Sequence, residues 1–381
     1  MKTIIVIGAG IVGVSTAIWL QRSGFKVTII DQKGPATGAS HGNAGILAAS
    51  SIIPVPNPSL IKKLPFYLLS KDSPVFFKMS YLPKMFPFLI SYLSKSNLRE
   101  VNKYAERMTP LIFDTVCQHK SLAKGTGAEK FISYQDYCFG YETEENFLND
   151  KKVWKLRQKH GLPFEVVNGN EFSNFDPFYK DLFDVIVKCK NHGKINDPGL
   201  YVKTLCDHFL SQGGELIISK VNDISSKNLN DAIVKIESDS LIANKIVVAT
   251  GAWSKKILKK FKIKMPLESE RGYHVEYVEP NFYPKVPMML TSKKFVITPM
   301  DGRIRVAGLV EFAGLKTLKR KPPLNLLKNK IKVLFPNLKC KEKIEWLGHR
   351  PALVDSLPML GYLDKNKQIL VAFGHQHLGL T

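Results

Sequence analysis

Lys2-Thr3-Ile4-Ile5-Val6-Ile7-Gly8-Ala9-Gly10-Ile11-Val12-Gly13 opens the chain, and its reading decides the fold. The β-branched run up to Ile7, stopped by glycine, predicts a buried parallel strand. Gly8 to Gly13 then fits G-x-G-x-x-G. The helix that follows puts Val14, Ala17, Ile18 and Leu20 on its inner side and stops near Ser23-Gly24. Lys26-Val27-Thr28-Ile29-Ile30 reads as the next strand, ending on Asp31. Gly8 permits the tight turn, Gly10 lets backbone approach a pyrophosphate, and Gly13 lets helix and sheet pack closely. The N–H groups around Ile11 and Val12, at a helix N-terminus, suit phosphate. Asp31 can accept hydrogen bonds from a ribose 2′-OH. A lone glycine motif is weak, and its competing reading is a turn in an unrelated α/β domain. With a strand before it, a helix behind it and an acid at the tip of the second strand, it specifies a dinucleotide-binding unit.

The motif by itself does not choose between NAD and FAD. The next segment does. Thr37-Gly38-Ala39-Ser40-His41-Gly42-Asn43-Ala44-Gly45 is rich in small residues and hydrogen-bonding side chains where an NAD unit would proceed to a helix. It suits a loop laid along a long, flat cofactor.

Several further motifs carry a resemblance over nearly the whole chain: A-T-G-A-W-S at 249–254, R-G-Y-H at 271–274, W-L-G-H-R-P at 346–351, D-S-L-P-M-L-G at 355–361 and G-H-Q-H-L-G-L-T at 374–381. In this order and spacing, with the glycine motif and the 39–45 segment, the chain resembles the D-amino-acid-oxidase-like FAD enzymes. Within them it is similar to the branch of bacterial D-amino-acid and hydroxyproline dehydrogenases. The resemblance implies an α/β fold: a Rossmann-type FAD-binding domain with a discontinuous antiparallel-sheet substrate domain. The FAD-binding domain is expected over 1–50, 190–260 and 345–381, and the substrate domain over 51–189 and 261–344. It further implies FAD contacts at Ser40, Asn43, Ala44, Gly45, Val221, Thr250 and Gly251. By the same resemblance, Gly374, His375, His377 and Gly379 are expected in a loop whose backbone faces the flavin. The covalent flavin link of some relatives needs a Cys shortly after the Arg motif. Ala352 and Leu353 stand there, so non-covalent FAD is expected. Relatives continue past the position of Thr381 through a helix that closes on the cofactor, and weakened FAD retention is the expectation without it.

Composition bounds the alternatives. The 381 residues, 44% hydrophobic and 23% charged, suit about two soluble domains. No apolar run reaches the roughly 18–20 residues of a membrane-spanning helix, and the N-terminus enters a strand directly, so a cytoplasmic protein is expected. Five cysteines without C-x-x-C spacing argue against a disulfide framework or structural zinc and read as buried, reduced thiols. The net charge of +22 is nearly all lysine. Compositional drift in an AT-rich genome, an anionic membrane surface and nucleic acid all fit it, in that order of preference.

Residues 51–100 are aromatic, broken by proline and dotted with lysine, notably at 60–69 and 81–93. They read either as short helices packed on the substrate domain or as a peripheral contact with the inner membrane. Helices are expected over 101–120 and 143–160, and from Asp197-Pro198, with its good N-cap, to Gln212. Glu215-Leu216-Ile217-Ile218 and Ile246-Val247-Val248 read as strands, residues 261–344 as a mostly antiparallel sheet with a hairpin at Asp301-Gly302, and Leu324, Leu327, Ile331 and Leu334 as one face of a helix.

Oxidising an amino acid at a flavin needs a carboxylate anchor that points the α-hydrogen at the ring, and a neutral amine when hydride leaves. The planar fork of arginine suits the anchor. Arg350, in G-H-R-P, occupies the position where similar oxidases hold the substrate carboxylate, the alternative being a supporting ion pair. Tyr273 and His274 begin a strand that, by resemblance, lines the substrate side, and are candidates for hydrogen bonding or gating. His375 and His377 form H-x-H, but no carboxylate or Cys nearby completes a metal site, so none is expected. The leading expectation is oxidative deamination of a D-amino acid or cyclic imino acid, with electrons passed to a quinone or other carrier. The alternatives are an oxidase using oxygen, an RNA-modifying flavoenzyme of the same fold, and a non-catalytic flavin-binding remnant.

Overall fold

A computed structural model describes residues 1–70, 72–228, 230–263 and 265–381, with the side chains at 62, 63, 68, 69 and 260 also outside the described set. The opening motif folds as its sequence dictates: strand Thr3–Ile7, helix Ile11–Arg22 with Gly10 as N-cap, and strand Lys26–Asp31. The two strands pair in parallel, Ile4 beside Val27 and Ile7 beside Ile30. Glu215–Ile218 joins one edge, and Lys245–Val248 and Ile369–Phe373 extend the other, all parallel, before Met359–Tyr362 closes it antiparallel. Val6, Ile29 and Val248 are buried because both faces of this sheet are covered. Ile11–Arg22 packs beside Pro198–Ser211, whose N-cap Asp197 accepts from Leu200 N at 2.9 Å.

The second body is a nine-stranded, mostly antiparallel sheet. Glu342–Leu353, Leu267–Val278, Arg303–Phe312, Phe295–Met300, Met288–Leu290, Tyr137–Tyr141, Val185–Cys189 and Phe164–Asn168 follow one another, and Val75–Phe77 pairs alongside 303–312. The expected hairpin turns at Gly302, with Val296 opposite Ala307. Helix Lys321–Leu334 buries Leu324, Leu327 and Ile331 on one side of the sheet. The sheet draws strands from both 75–189 and 267–353, so it is discontinuous in sequence. Its last strand runs out to Leu353, so the division expected at 345 falls inside a strand. A three-stranded antiparallel meander at 223–243 was not signalled by the sequence.

Three further expectations are corrected. The helix expected over 101–120 is two, Leu98–Ile112 and Thr115–Ala123. Cys117 is exposed rather than buried, because Thr115, Val116, His119, Leu122 and Ala123 form the inner face of its helix. Between 51 and 100, helix Leu82–Ser94 buries Met85, Phe88 and Tyr92 against Phe312 while leaving Phe86 and Ile90 exposed, so packing and exposed apolar surface coexist there. No helix among the described residues is long and apolar enough to cross a membrane.

Candidate active site

Where the parallel strands end at their carboxyl termini, a cavity of about 740 Å³ opens and continues onto the face of the large sheet. Ligands of open α/β sheets bind at such strand ends. At the closed end stands the glycine turn. Gly8 has φ +110°, and a β-carbon at Gly13 would lie 1.8 Å from the Gly8 oxygen, so helix and turn meet without side chains between them. Asp31 clamps this turn: Oδ2 accepts from Ala9 N at 2.9 Å and Oδ1 from Lys33 N and Gly34 N at 2.8 and 3.0 Å. Ser40 Oγ accepts from Ile11 N at 2.9 Å, occupying one of the helix's free N–H groups.

The 39–45 loop runs along the cavity and is held from the large sheet. Arg305 donates to the carbonyls of His41 and Asn43, and His274 Nδ1 lies 3.2 Å from the Gly42 carbonyl. Asn43 Oδ1 accepts from Gly45 N. Farther along, Val221, Thr250 and Gly251 form one wall, with Thr250 Oγ1 2.9 Å from Ser254 Oγ. The 375–381 segment forms the other, pinned by Gln376 N donating to Pro351 O at 3.1 Å.

Of the residues singled out from sequence, Gly8, Gly10, Ile11, Val12, Asp31, Ser40, Asn43, Ala44, Val221, Thr250, Gly251, Tyr273, Arg350, His375, His377 and Gly379 line this cavity. Gly13, Gly45 and Gly374 stand behind its wall, where β-carbons would strike Gly8 O, Ile195 O and Leu353 respectively. His274 also stands behind it, against the expectation of a direct role. Its ring stacks on Trp346 at 4.9 Å, and burial, then the Arg305 charge, pushes its pKa down to about 3. Trp346 faces the cavity in its place. Tyr273 reaches the cavity, but its hydroxyl is turned away into the second core, where it donates to buried Glu311 Oε2 at 2.6 Å.

Arg350 lies flat over Gly272, where a β-carbon would come within 2.5 Å of its Cζ. Nη1 donates to Glu270 Oε1 at 3.2 Å and to Leu309 O at 3.3 Å, and Nη2 to Gly308 O at 3.5 Å. Two of its five N–H groups, on Nε and Nη2, have no acceptor among the described residues. Glu270 is buried, and its Oε2 has no hydrogen-bond partner among the described residues. Burial pushes His375 to about 4, so its ring is neutral at pH 7. His377 is exposed, and the neighbouring Arg350 charge lowers its pKa.

Sequence reasoning missed Glu270, Trp346, Gln376 and Arg157, all of which line the cavity. The amide of Gln376 is buried in this wall, within hydrogen-bonding reach of Tyr92. The side-chain-free glycine turn, which a β-carbon would fill, and the acid at the strand end fit FAD. Asp31 would need to share its oxygens between backbone and ribose, which a carboxylate with about four lone-pair sites allows.

A family model described as FAD-dependent oxidoreductase (DAO) matches residues 3–381. A D-amino-acid oxidase of Bradyrhizobium diazoefficiens is 34% identical over 387 residues, covering 100% of this chain and 92% of that protein. A D-amino acid dehydrogenase of Helicobacter pylori is 24% identical over 382 residues, with coverage of 100% and 92%. Among solved structures, glycine oxidase from Geobacillus kaustophilus superposes with a TM-score of 0.75 at 17% identity, covering 100% of this chain and 91% of that one. L-Proline dehydrogenase from P. horikoshii gives 0.72 at 17% identity, with coverage of 100% and 89%. At such identities the two structures speak for the fold.

Proposed function

The chain belongs to the DAO family of FAD-dependent oxidoreductases, and on that premise we propose that it oxidises the carbon–nitrogen bond of a D-amino acid or cyclic imino acid. The observation that carries this reading is the Arg350–Glu270 pair. Opposite charges stand 3.2 Å apart at the cavity, and each has bonding capacity left over. That arrangement matches the zwitterionic head of an amino acid, as the similarity to D-amino-acid oxidases and dehydrogenases also suggests.

FAD, when bound, supplies the acceptor for the hydride that leaves the α-carbon. The glycine turn, Asp31 and the 39–45 loop would hold its nucleotide half, and residues 375–379 would line the place of its ring. Arg350 takes the substrate carboxylate through its free Nε and Nη2 protons, a bidentate contact that fixes the α-carbon. Glu270 Oε2 accepts from the substrate amino group and takes a proton from it, leaving the neutral amine whose lone pair assists loss of hydride. Gly272 and Gly348 leave room for Arg350 and Trp346 to lie flat. Neutral His375 adds no competing positive charge to this wall. Met289, Val296 and Phe139 line the remaining wall with apolar surface that keeps water from the reacting carbon.

Anaerobic mixing of the FAD-loaded protein with D-amino acids, D-proline derivatives and glycine derivatives tests the reading. Bleaching of flavin absorbance by at least one is expected, and failure of all of them overturns it. The acceptor proposed is a quinone or carrier rather than oxygen. It is supported by the dehydrogenase similarity and by the exposed Met79, Phe86 and Ile90 beside exposed Lys84, a surface suited to anionic lipid. Reoxidation by a soluble quinone faster than by dissolved oxygen, and co-sedimentation with anionic but not zwitterionic vesicles, are the expected results.

A further inference from the structure

Arg157 sits in the helix Lys151–Lys159, amid lysines that suggest a solvated surface, yet it is only 6% exposed. Its guanidinium lies 4.3 Å from the centre of the Trp154 ring and 5.3 Å from that of Phe139. Nε donates to the Ser50 carbonyl at 2.9 Å. Trp154 is fixed in turn, its Nε1 donating to Tyr141 Oη, which donates to Asp150 Oδ2. The fork is thus clamped on two rings and one carbonyl. Among the described residues neither Nη has an acceptor, and no carboxylate stands within ion-pair distance. Arg157 lines the same cavity as Arg350.

Keeping a guanidinium charged away from water is costly, and contact with two ring faces offsets only part of that cost. A fixed, desolvated fork with unused donors facing a cavity therefore suits an anion. The sheet shows that this anion is not the one held by Arg350. Phe139, Met289, Val296 and Ala307 are lateral neighbours on four consecutive strands. Three strand spacings separate the first from the last, about 14 Å. Arg157 stands over Phe139, whereas Arg350 is bonded to the carbonyls of Gly308 and Leu309, next to Ala307. The two forks are therefore held over strands three spacings apart, and the wall between them, Met289 and Val296, is apolar.

We propose that Arg157 anchors a second, distal carboxylate of the substrate, so that the site takes an acidic amino acid. The α-amino and α-carboxyl groups engage Glu270 and Arg350, the methylenes cross Met289 and Val296, and the side-chain carboxylate meets the Nη pair of Arg157. This inference rests on the amino-acid-oxidising function proposed above and names its substrate class.

The test compares isosteric pairs, D-glutamate against D-glutamine and D-aspartate against D-asparagine, by anaerobic flavin reduction in the FAD-loaded protein. The better acidic substrate should exceed its amide in kcat/KM by about a hundredfold, the worth of one buried charge-assisted contact. Arg157→Met should collapse that ratio, and Arg157→Lys should retain part of it. A second readout needs no turnover. Glutarate should raise the melting temperature of the flavin-free protein, butyrate at the same concentration should not, and Arg157→Met should abolish the difference. Equal use of acid and amide by the native protein overturns the proposal. So does an acid-to-amide ratio that Arg157→Met leaves unmoved, or a loss of the same size on both substrates. If Arg157→Met does not fold, the native acid-to-amide ratio and the glutarate shift decide. If no amino acid bleaches the flavin but glutarate still stabilises the native protein, the function proposed above fails while the anion subsite stands.

Discussion

A β-carbon at Gly13 would sit 1.8 Å from the Gly8 carbonyl oxygen, and one at Gly8 would sit 2.5 Å from that of Ala249. Backbone cannot yield there without moving the helix off the sheet. Gly13→Ala is therefore expected to cost about 3 kcal/mol and to strip most of the flavin, read as melting temperature and as the ratio of flavin to protein absorbance. Gly38→Ala, with nothing within 4 Å of the new methyl group, should leave both nearly unchanged. At the reacting end the informative residue is Glu270. The amide oxygen of Glu270→Gln can still accept from Arg350, so the anchor is kept while the proton acceptor is lost. A drop in kcat/KM of about a hundredfold at pH 7 is expected. It should recover as pH rises and the substrate arrives already as the free amine. A deficit that stays constant across pH would assign Glu270 to holding Arg350 alone.

Strand Leu267–Val278 shows at the scale of an element why the two halves of the site differ in legibility. Glu270 and Gly272 face the cavity, and His274 and Glu276 face the 39–45 loop and Arg305, while Arg271, Tyr273, Val275 and Tyr277 face the second core. Adjacent residues of a strand point to opposite faces, so Tyr273 and His274 could not both project a side chain into one cavity. Without knowing the face, sequence could not find Glu270. The nucleotide half was legible because its chemistry is local: turn, helix and second strand lie within thirty-one residues, and each glycine has a backbone reason. Arg157 was hidden for the opposite reason, since in Lys151-Lys152-Val153-Trp154-Lys155-Leu156-Arg157 it reads as one more exposed cation. The inward side of the same strand carries its own prediction. Glu311 is fully buried and receives Arg271 at 3.3 Å, Tyr273 at 2.6 Å and Arg320 at 2.8 Å. Glu311→Gln leaves Arg271 charged, buried and without a counter-ion, which should cost about 3–5 kcal/mol. Urea denaturation measures it, and a loss under 1 kcal/mol would mean that water reaches the pair.

At the scale of the molecule, its two largest sheets meet across the cavity, stitched by charge where they approach. Arg303 reaches from the large sheet to Asp197, the cap of the helix at 198–211, at 2.6 Å, and Arg303 and Arg305 share Glu276. Closing this seam also removes imidazoles from water. Burial pushes His192, His349 and His375 to about 4 and His274 to about 3. In the unfolded chain the same four groups titrate near 6.5. Between pH 6.5 and about 4 the unfolded state therefore binds more protons than the folded one, and stability must rise with pH across that window. Acidic conditions should accordingly destabilise the protein well before carboxylates protonate. The urea midpoint should be flat from pH 8 to 7 as far as these groups are concerned, and fall steadily from pH 6.5 to 4.5. Unfolding at pH 5.5 should take up several protons, measurable from the buffer dependence of the calorimetric enthalpy. Replacing His274 by Asn, which cannot be protonated there, should make the fall shallower by about one proton. A midpoint that holds constant down to pH 5 would show that these rings stay hydrated, and with it that the cavity wall they form admits water to the reacting carbon.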